Sequence, residues 1–177
     1  MKTSPIFILA LLLAGCAEPP KNVFVVTPEL LKERQVETRR YDGIKEEDLL
    51  VACSNVLQDL GFNLENSETK LGVLTANKQR DATNASEVAM AVFLALLSGK
   101  PVPYSKDQTI RVSLVIRPVI DSNNKPMANS ELVRVTFQRV VRMTDNSTRI
   151  ETLNDEKLFQ DFYERVSKAV FLEAQKV

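Results

Sequence analysis

The most reactive nucleophiles in this sequence are two cysteine thiols, Cys16 and Cys53, and none of the 177 residues is a histidine. The absence of histidine excludes the Ser-His-Asp and Cys-His arrangements that activate a nucleophile near neutral pH. It also removes the commonest protein ligand for transition metals. Acidic pairs such as Asp59 with Glu65 have no companion residues that would make them a hydrolase site. We therefore expect no enzymatic activity, no metal and no cofactor.

The position of Cys16 points to a different chemistry, the attachment of lipid to its sulfur. Eight apolar residues, Ile6–Leu13, precede it, and this run is too short for the ~20 residues of a bilayer-spanning helix. Such a run is typical of the apolar part of a signal peptide. The residues Leu13-Ala14-Gly15-Cys16 resemble the lipobox of bacterial lipoproteins. That resemblance implies cleavage before Cys16, a diacylglycerol on its sulfur and a further acyl chain, such as palmitate, on the new amino group.

This interpretation predicts where the protein resides. Residues 1–15 would be the signal peptide, and the acyl chains on Cys16 would hold the protein on a membrane, because stable anchoring takes more than one lipid chain. The next residue is Ala17 and not the aspartate that resembles an inner-membrane retention signal. We therefore expect a lipid-anchored protein of the outer membrane that faces the periplasm.

The charge balance limits the kinds of partner. The sequence contains 23 basic and 23 acidic residues, so no strong net field recruits nucleic acid. The expected partners are the membrane, through the N-terminal lipid, and an envelope protein. Cys53 has no disulfide partner once Cys16 is lipidated, and it shares a helical stripe with Leu49, Val56 and Leu60. It should be a buried thiol.

The remaining chain predicts a tether at 16–34 and one domain at 35–177. Apolar spacing and capping residues predict a helix from Glu46 that ends at Gly61, a helix at 85–98 between Asn84 and Gly99, and a last helix capped by Asn154. Alternation of apolar and polar residues predicts a hairpin from "FNLEN" and "GVLTANK". It also predicts a second, longer hairpin from "TIRVSLVIRPVI" and "ELVRVTFQRVVRM", with a bulge at Arg139-Val140.

The order of these elements predicts the fold class. We expect an α+β domain of two layers, in which one antiparallel sheet of about four strands carries helices on one face. The segment "QVETRRYD" is expected to add an edge strand, and "TPELLKER" a single helical turn.

A family resemblance accompanies this prediction. The segments "RRYD" and "LLVACSNVLQDLGFNLENSETKLGVLTANKQRDA", within Arg39–Ala82, resemble a family of uncharacterised lipoproteins of Gram-negative bacteria. Their arrangement of a helix, an "LGF" strand and an "LGVLTANK" strand is similar to the helix-grip domains of BamC, an accessory lipoprotein of the machinery that assembles outer-membrane proteins. The resemblance implies a helix-grip-like fold.

Two sets of residues are candidate binding sites. Four arginines could share the outward face of adjacent strands and bind phosphate or carboxylate groups; they are Arg111, Arg117, Arg134 and Arg142. The alternative is an ordinary solvated sheet face. The second candidate is the helix at 85–98, in which Val88–Leu97 is an unbroken apolar run.

A helix without a polar face must be covered on all sides or must bind something. We expect Met90, Phe93 and Leu97, which share one side of this helix, to form a partner surface or the wall of an apolar pocket. The alternative is a central core helix. Two functions remain open: an interaction or scaffold module in envelope assembly, transport or secretion, and a lipoprotein that binds a hydrophobic ligand between helix 85–98 and the sheet.

Overall fold

The computed structural model describes residues 25–81 and 84–174, and within them four α-helices and six β-strands. The helices are α1 Pro28–Val36, α2 Glu46–Asp59, α3 Ala85–Ser98 and α4 Glu156–Ala174. The strands are β1 Thr38–Asp42, β2 Asn63–Glu68, β3 Val73–Asp81, β4 Ser105–Ile120, β5 Pro126–Met143 and β6 Thr148–Thr152. The compact unit formed by residues 32–177 contains all six strands.

All strands belong to one antiparallel sheet in the order β1-β5-β4-β3-β2, with β6 also paired to β5. Strand β1 pairs with Ser130–Arg134 of β5, and β6 pairs with Gln138–Arg142 of the same strand. The two short strands therefore follow one another along one edge of β5. The α+β class is confirmed, and the edge strand expected in "QVETRRYD" is β1. The sheet has six strands and not about four, and β6 was not predicted.

The long hairpin of β4 and β5 is confirmed, but the predicted bulge in β5 is wrong. Arg139 pairs with Ile110 and Val140 with Thr109 in an uninterrupted register. Irregularities of this pair lie elsewhere, between Ser105 and Asp107 and between Pro118 and Ile120. The alternation changes at Arg139 because an arginine occupies a position on the helix-facing side, where Glu151 of β6 binds it.

The hydrophobic core lies between one face of the sheet and the helices α2 and α4. Its members include Cys53 and Leu57 of α2, Phe162 and Val166 of α4, and Leu114 of β4, all buried. Cys53 is 0% exposed, as predicted, and burial raises the pKa of its thiol to about 12. The thiol is therefore inert at neutral pH.

The ends of α2 and α3 follow the predicted signals. The residue after α2's last turn, Gly61, has a positive φ of 79°, and Gly99 after α3 has a φ of 66°. Both adopt the left-handed conformation that glycine tolerates. The Asn84 side chain accepts a hydrogen bond from the Ser86 amide at 3.0 Å, which caps α3. Glu87, in the first turn of α3, accepts hydrogen bonds from Ser105 of β4.

Two predictions near the other helices are corrected. The cap of α4 is Asp155, whose carboxylate accepts from the Lys157 amide at 2.9 Å. The predicted cap, Asn154, donates its side-chain amide to Glu33 of α1 instead. Helix α1 has nine residues and not the single turn expected after Pro28.

Candidate functional site

The helix-facing side of the sheet extends beyond the helices that cover it. Residues opposite one another in register share a face, and so do residues two apart along a strand. Ala76, Val112 and Phe137 therefore form one row across β3, β4 and β5, and this row is buried. The rings of Phe159 and Phe162 from α4 lie edge-on to Phe137, with centroids 5.5 and 5.8 Å away.

The next row on this side is only partly covered. It consists of Lys78, Ile110 and Arg139, all of intermediate exposure, and continues to Glu151 of β6. Helix α4 begins at Glu156, above the Phe137 row, so it leaves part of this second row open. A cleft consequently opens beside the N-terminal half of α4.

We name this feature the basic-rimmed cleft. Its volume is about 380 Å³. Its walls are apolar and are formed by Leu60, Phe62, Ile110, Phe137, Leu153, Leu158 and Phe162. Its charged lining residues are Lys78, Arg80, Asp161 and Arg165. The cleft is thus a hydrophobic recess with three cationic groups and one carboxylate.

The C-terminal end of α2 holds Lys78 in place. The Lys78 ammonium donates a hydrogen bond to the Leu60 carbonyl at 2.6 Å and lies 5.7 Å from the centre of the Phe62 ring. A Cβ on Gly61 would lie 3.2 Å from Lys78 Nζ, so the lysine end passes close to this glycine. An ammonium has three donors, so the bond to Leu60 leaves two available to a ligand.

A second cavity, of about 350 Å³, lies between the start of α3 and the sheet. Glu87 Oε1 accepts hydrogen bonds from the amide and the hydroxyl of Ser105, both at 3.0 Å. Most lining side chains are polar, and they are Asn84, Glu87, Ser105, Gln108, Arg139 and Arg149 beside Val141 and Met143. A cavity at the place where a hydrophobic ligand was expected is therefore lined mainly by hydrogen-bonding groups.

Glu151 organises the charges at the β6 edge of this cavity. Its carboxylate binds Arg139 Nε at 2.9 Å and also contacts the guanidinium of Arg149. The hydrogen bonds from Arg139 hold the pKa of Glu151 below its ordinary value. Sequence analysis missed this cluster because β6 was not predicted.

Helix α3 presents large apolar side chains to solvent. Met90 is 57% exposed and Phe93 is 56% exposed, and Val92 and Leu94 are exposed as well. Only Ala91, at 6%, is buried among the described side chains of this helix. The side chain of Leu97 lies outside the described residues. We call the exposed residues Met90, Val92, Phe93 and Leu94 the α3 surface.

The four arginines share the outward face of β4 and β5, as expected, but they do not converge. Arg111 and Arg117 lie six positions apart on β4, about 20 Å at the usual rise per residue. Arg134 lies opposite Val115 on the neighbouring strand. Arg142 faces Asp107, with 4.0 Å between guanidinium and carboxylate. Arg117 and Arg134 are therefore diagonal neighbours, but Arg111 and Arg142 lie apart from them, so the four arginines do not form one phosphate pocket.

The predicted signal peptide at 1–15, the lipid site Cys16 and most of the tether lie outside the described residues. Among residues 25–81 and 84–174, no helix combines the length and apolar character needed to cross a membrane. No group of three or more acidic or cysteine side chains in the same residues could hold a metal ion. Neither a protein-family model nor a curated protein matches this chain. The resemblance to Gram-negative lipoproteins and to BamC stays a prediction.

Proposed function

We propose that this protein is a periplasm-facing lipoprotein of the outer membrane that acts as a non-enzymatic interaction or scaffold module. It would serve envelope assembly, transport or secretion, and Cys16 would hold it on the membrane. The observation that carries the interaction role is the α3 surface. The lipobox-like residues before Cys16 support the location.

The arrangement of the domain is consistent with a helix-grip-like fold of two layers. Helices α2 and α4 share a core with one face of the sheet. The opposite face carries the four arginines and has exposed or half-exposed side chains along β4 and β5. We infer that α2 and α4 form the helical layer and that α3 is an addition to it, fixed near its start by Glu87.

The α3 surface has the properties of a docking surface. Single exposed apolar residues are normal on proteins, but a group of them on one element marks an interaction site. Burying such side chains is favourable by about 25 cal/mol for each Å² removed from water. Aromatic residues such as Phe93 contribute strongly to binding when a partner covers them. A partner protein would supply the cover that this helix lacks.

Binding of a hydrophobic ligand is the second candidate function. The predicted place, between helix 85–98 and the sheet, is lined mainly by polar groups, which disfavours an apolar ligand there. An apolar recess does exist, but it lies beside α4.

The substitution Phe93→Asp tests the docking role, and Phe171→Asp is its matched control. Phe171 is 61% exposed on α4, so both changes place a carboxylate at an exposed aromatic position. A photo-crosslinking amino acid at Met90 of the full, lipidated chain should form a discrete adduct in envelopes. Phe93→Asp should abolish this adduct, and Phe171→Asp should preserve it.

Thermal unfolding distinguishes docking from a core role. Because Phe93 is exposed, its replacement should change the free energy of unfolding by no more than about 0.5 kcal/mol. An unfolded Phe93→Asp protein would contradict the exposed position, and an adduct that persists in this variant would contradict the docking role. Separately, Cys16→Ser should release the protein from the membrane fraction or block its processing. Normal processing with unchanged membrane association would reject the lipid anchor.

A further inference from the structure

The basic-rimmed cleft exposes an apolar recess that the fold does not fill. It lies on the helix-facing side of the sheet, where the row containing Ile110 continues beyond the cover of α4. Its apolar walls include the half-buried Phe62 and Leu158 and the buried Phe137. A concave apolar site with a few well-placed charges is the usual form of a small-ligand site.

The charges of the cleft favour an anion. Lys78, Arg80 and Arg165 are opposed by Asp161 alone, so the lining carries a net charge of +2. Within the described part of the chain, neither Arg80 nor Arg165 forms an ion pair. Both guanidinium groups are on exposed residues and can turn toward a carboxylate or phosphate.

The shape of the cleft favours an alkyl chain over a peptide. Strand β3 is not paired with β2 beyond Asn77, at the rim of the cleft. The floor itself is formed by Ile110 of β4 and Phe137 of β5, two strands with neighbours on both sides, so it offers no free strand edge. A peptide lying there would lose hydration of its backbone amides without gaining partners. An alkyl chain has no such groups. The volume of about 380 Å³ is near the low end of the ~300–1,000 Å³ of ligand pockets, which suits one chain better than two.

We propose that the basic-rimmed cleft binds a single-chain anionic amphiphile, a fatty-acid-like molecule. Its alkyl chain lies against Phe62, Ile110 and Phe137, and its acidic head group contacts Lys78 and Arg165. This site does not involve the α3 surface, and the inference does not rest on the docking role proposed above.

Displacement of a fluorescent fatty acid tests the proposal. The full chain with Cys16→Ser, which removes the expected acyl chains, is titrated with dansyl-undecanoic acid. The bound probe is then displaced with dodecanoate, dodecanol or dodecylamine, which share one chain length and differ in head-group charge. Dodecanoate should displace the probe best, and dodecylamine should displace it worst.

Two substitutions locate the ligand. Arg165→Glu should weaken dodecanoate binding about tenfold and leave dodecanol binding within about twofold, because only the anion uses the guanidinium. Lys168→Glu is the matched control, since it reverses an exposed charge on the same helix outside the cleft, and it should change neither. Ile110→Gln should weaken both ligands about fivefold, because both chains lie on this side chain.

The outcomes separate this site from the docking surface. Absence of saturable probe binding would overturn the proposal, as would equal effects of Arg165→Glu and Lys168→Glu or unchanged binding in Ile110→Gln. Displacement by dodecylamine as strong as by dodecanoate would also overturn it. Phe93→Asp should bind the probe as the unsubstituted chain does, so a failed docking test leaves this result standing.

Discussion

Replacement of Glu131 by glutamine should make the protein more stable at neutral pH. Glu131 is only 6% exposed, and its Oε2 atom is buried without a hydrogen-bond partner among the described residues. Burial, and then the charge of Glu46, raise the pKa of Glu131 above 4.5. A buried polar group without a partner costs about 1–3 kcal/mol, and more when it is charged. Because glutamine removes the charge but keeps polar atoms, we expect a gain of about 1–2 kcal/mol.

The size of this effect depends on pH. Since the pKa of Glu131 is higher in the folded protein, its contribution to stability is fully present below pH 4.5 and is lost as the pH rises through the folded value. Glutamine does not titrate. The difference in unfolding free energy between the variant and the unsubstituted protein should therefore grow as the pH rises from 4.5 towards neutral and then level off.

Urea unfolding at a series of pH values measures this difference. Glu164→Gln, at an exposed position of α4, controls for the loss of one negative charge and should change stability by no more than about 0.5 kcal/mol. A Glu131→Gln protein that is less stable at neutral pH, or a difference that does not vary with pH, would refute the argument.

Two further predictions concern Cys53 and Glu87. The Cys53 thiol should resist iodoacetamide in the native protein and react after denaturation, because it is fully buried and its pKa is raised to about 12; rapid native labelling would contradict this. Glu87→Gln keeps an acceptor for Ser105 but loses the negative charge, whereas Glu87→Ala loses both. Glu87→Ala should therefore increase proteolysis near α3 more than Glu87→Gln does. Equal resistance of the two variants to the protease would contradict the role of Glu87 in holding the start of α3 to Ser105.

Local signals predicted the parts of the fold that depend on nearby residues. The helix from Glu46 and its end at Gly61 follow from apolar spacing and a left-handed glycine, and the Asn84 cap of α3 follows from its neighbours. The β4–β5 hairpin follows from strict alternation and a polar connection. These features need no knowledge of distant partners, so the sequence displays them directly.

Features that depend on partners far along the chain were missed or mispredicted. Strand β6 has five residues and exposed Ile150, so its alternation carries little apolar signal. The Arg139 position resembled a bulge because an arginine on the helix-facing side is unexpected without Glu151 beside it. Asn154 and Asp155 are both residue types that cap helices, so the local sequence does not distinguish them. In the fold, Asn154 binds Glu33, and Asp155 accepts the hydrogen bond that caps α4.

The position of the basic-rimmed cleft depends on the register of the strands. Once the strands are aligned, however, the order of apolar and basic residues along them indicates where it lies. Along β3 the helix-facing side changes from apolar to basic between Ala76 and Lys78, and along β5 it changes between Phe137 and Arg139. Both changes fall between the same two rows of the sheet, and Ile110 lies in the row beyond. A sheet covered to its end would keep apolar residues there, because buried unpaired cations are costly. On β5 the change is local, because Arg139 is paired with Glu151 and the next residue on this side, Val141, is buried again. On β3 the basic residues continue from Lys78 to Arg80, and there the change marks the line where helical cover ends and a ligand can reach the sheet.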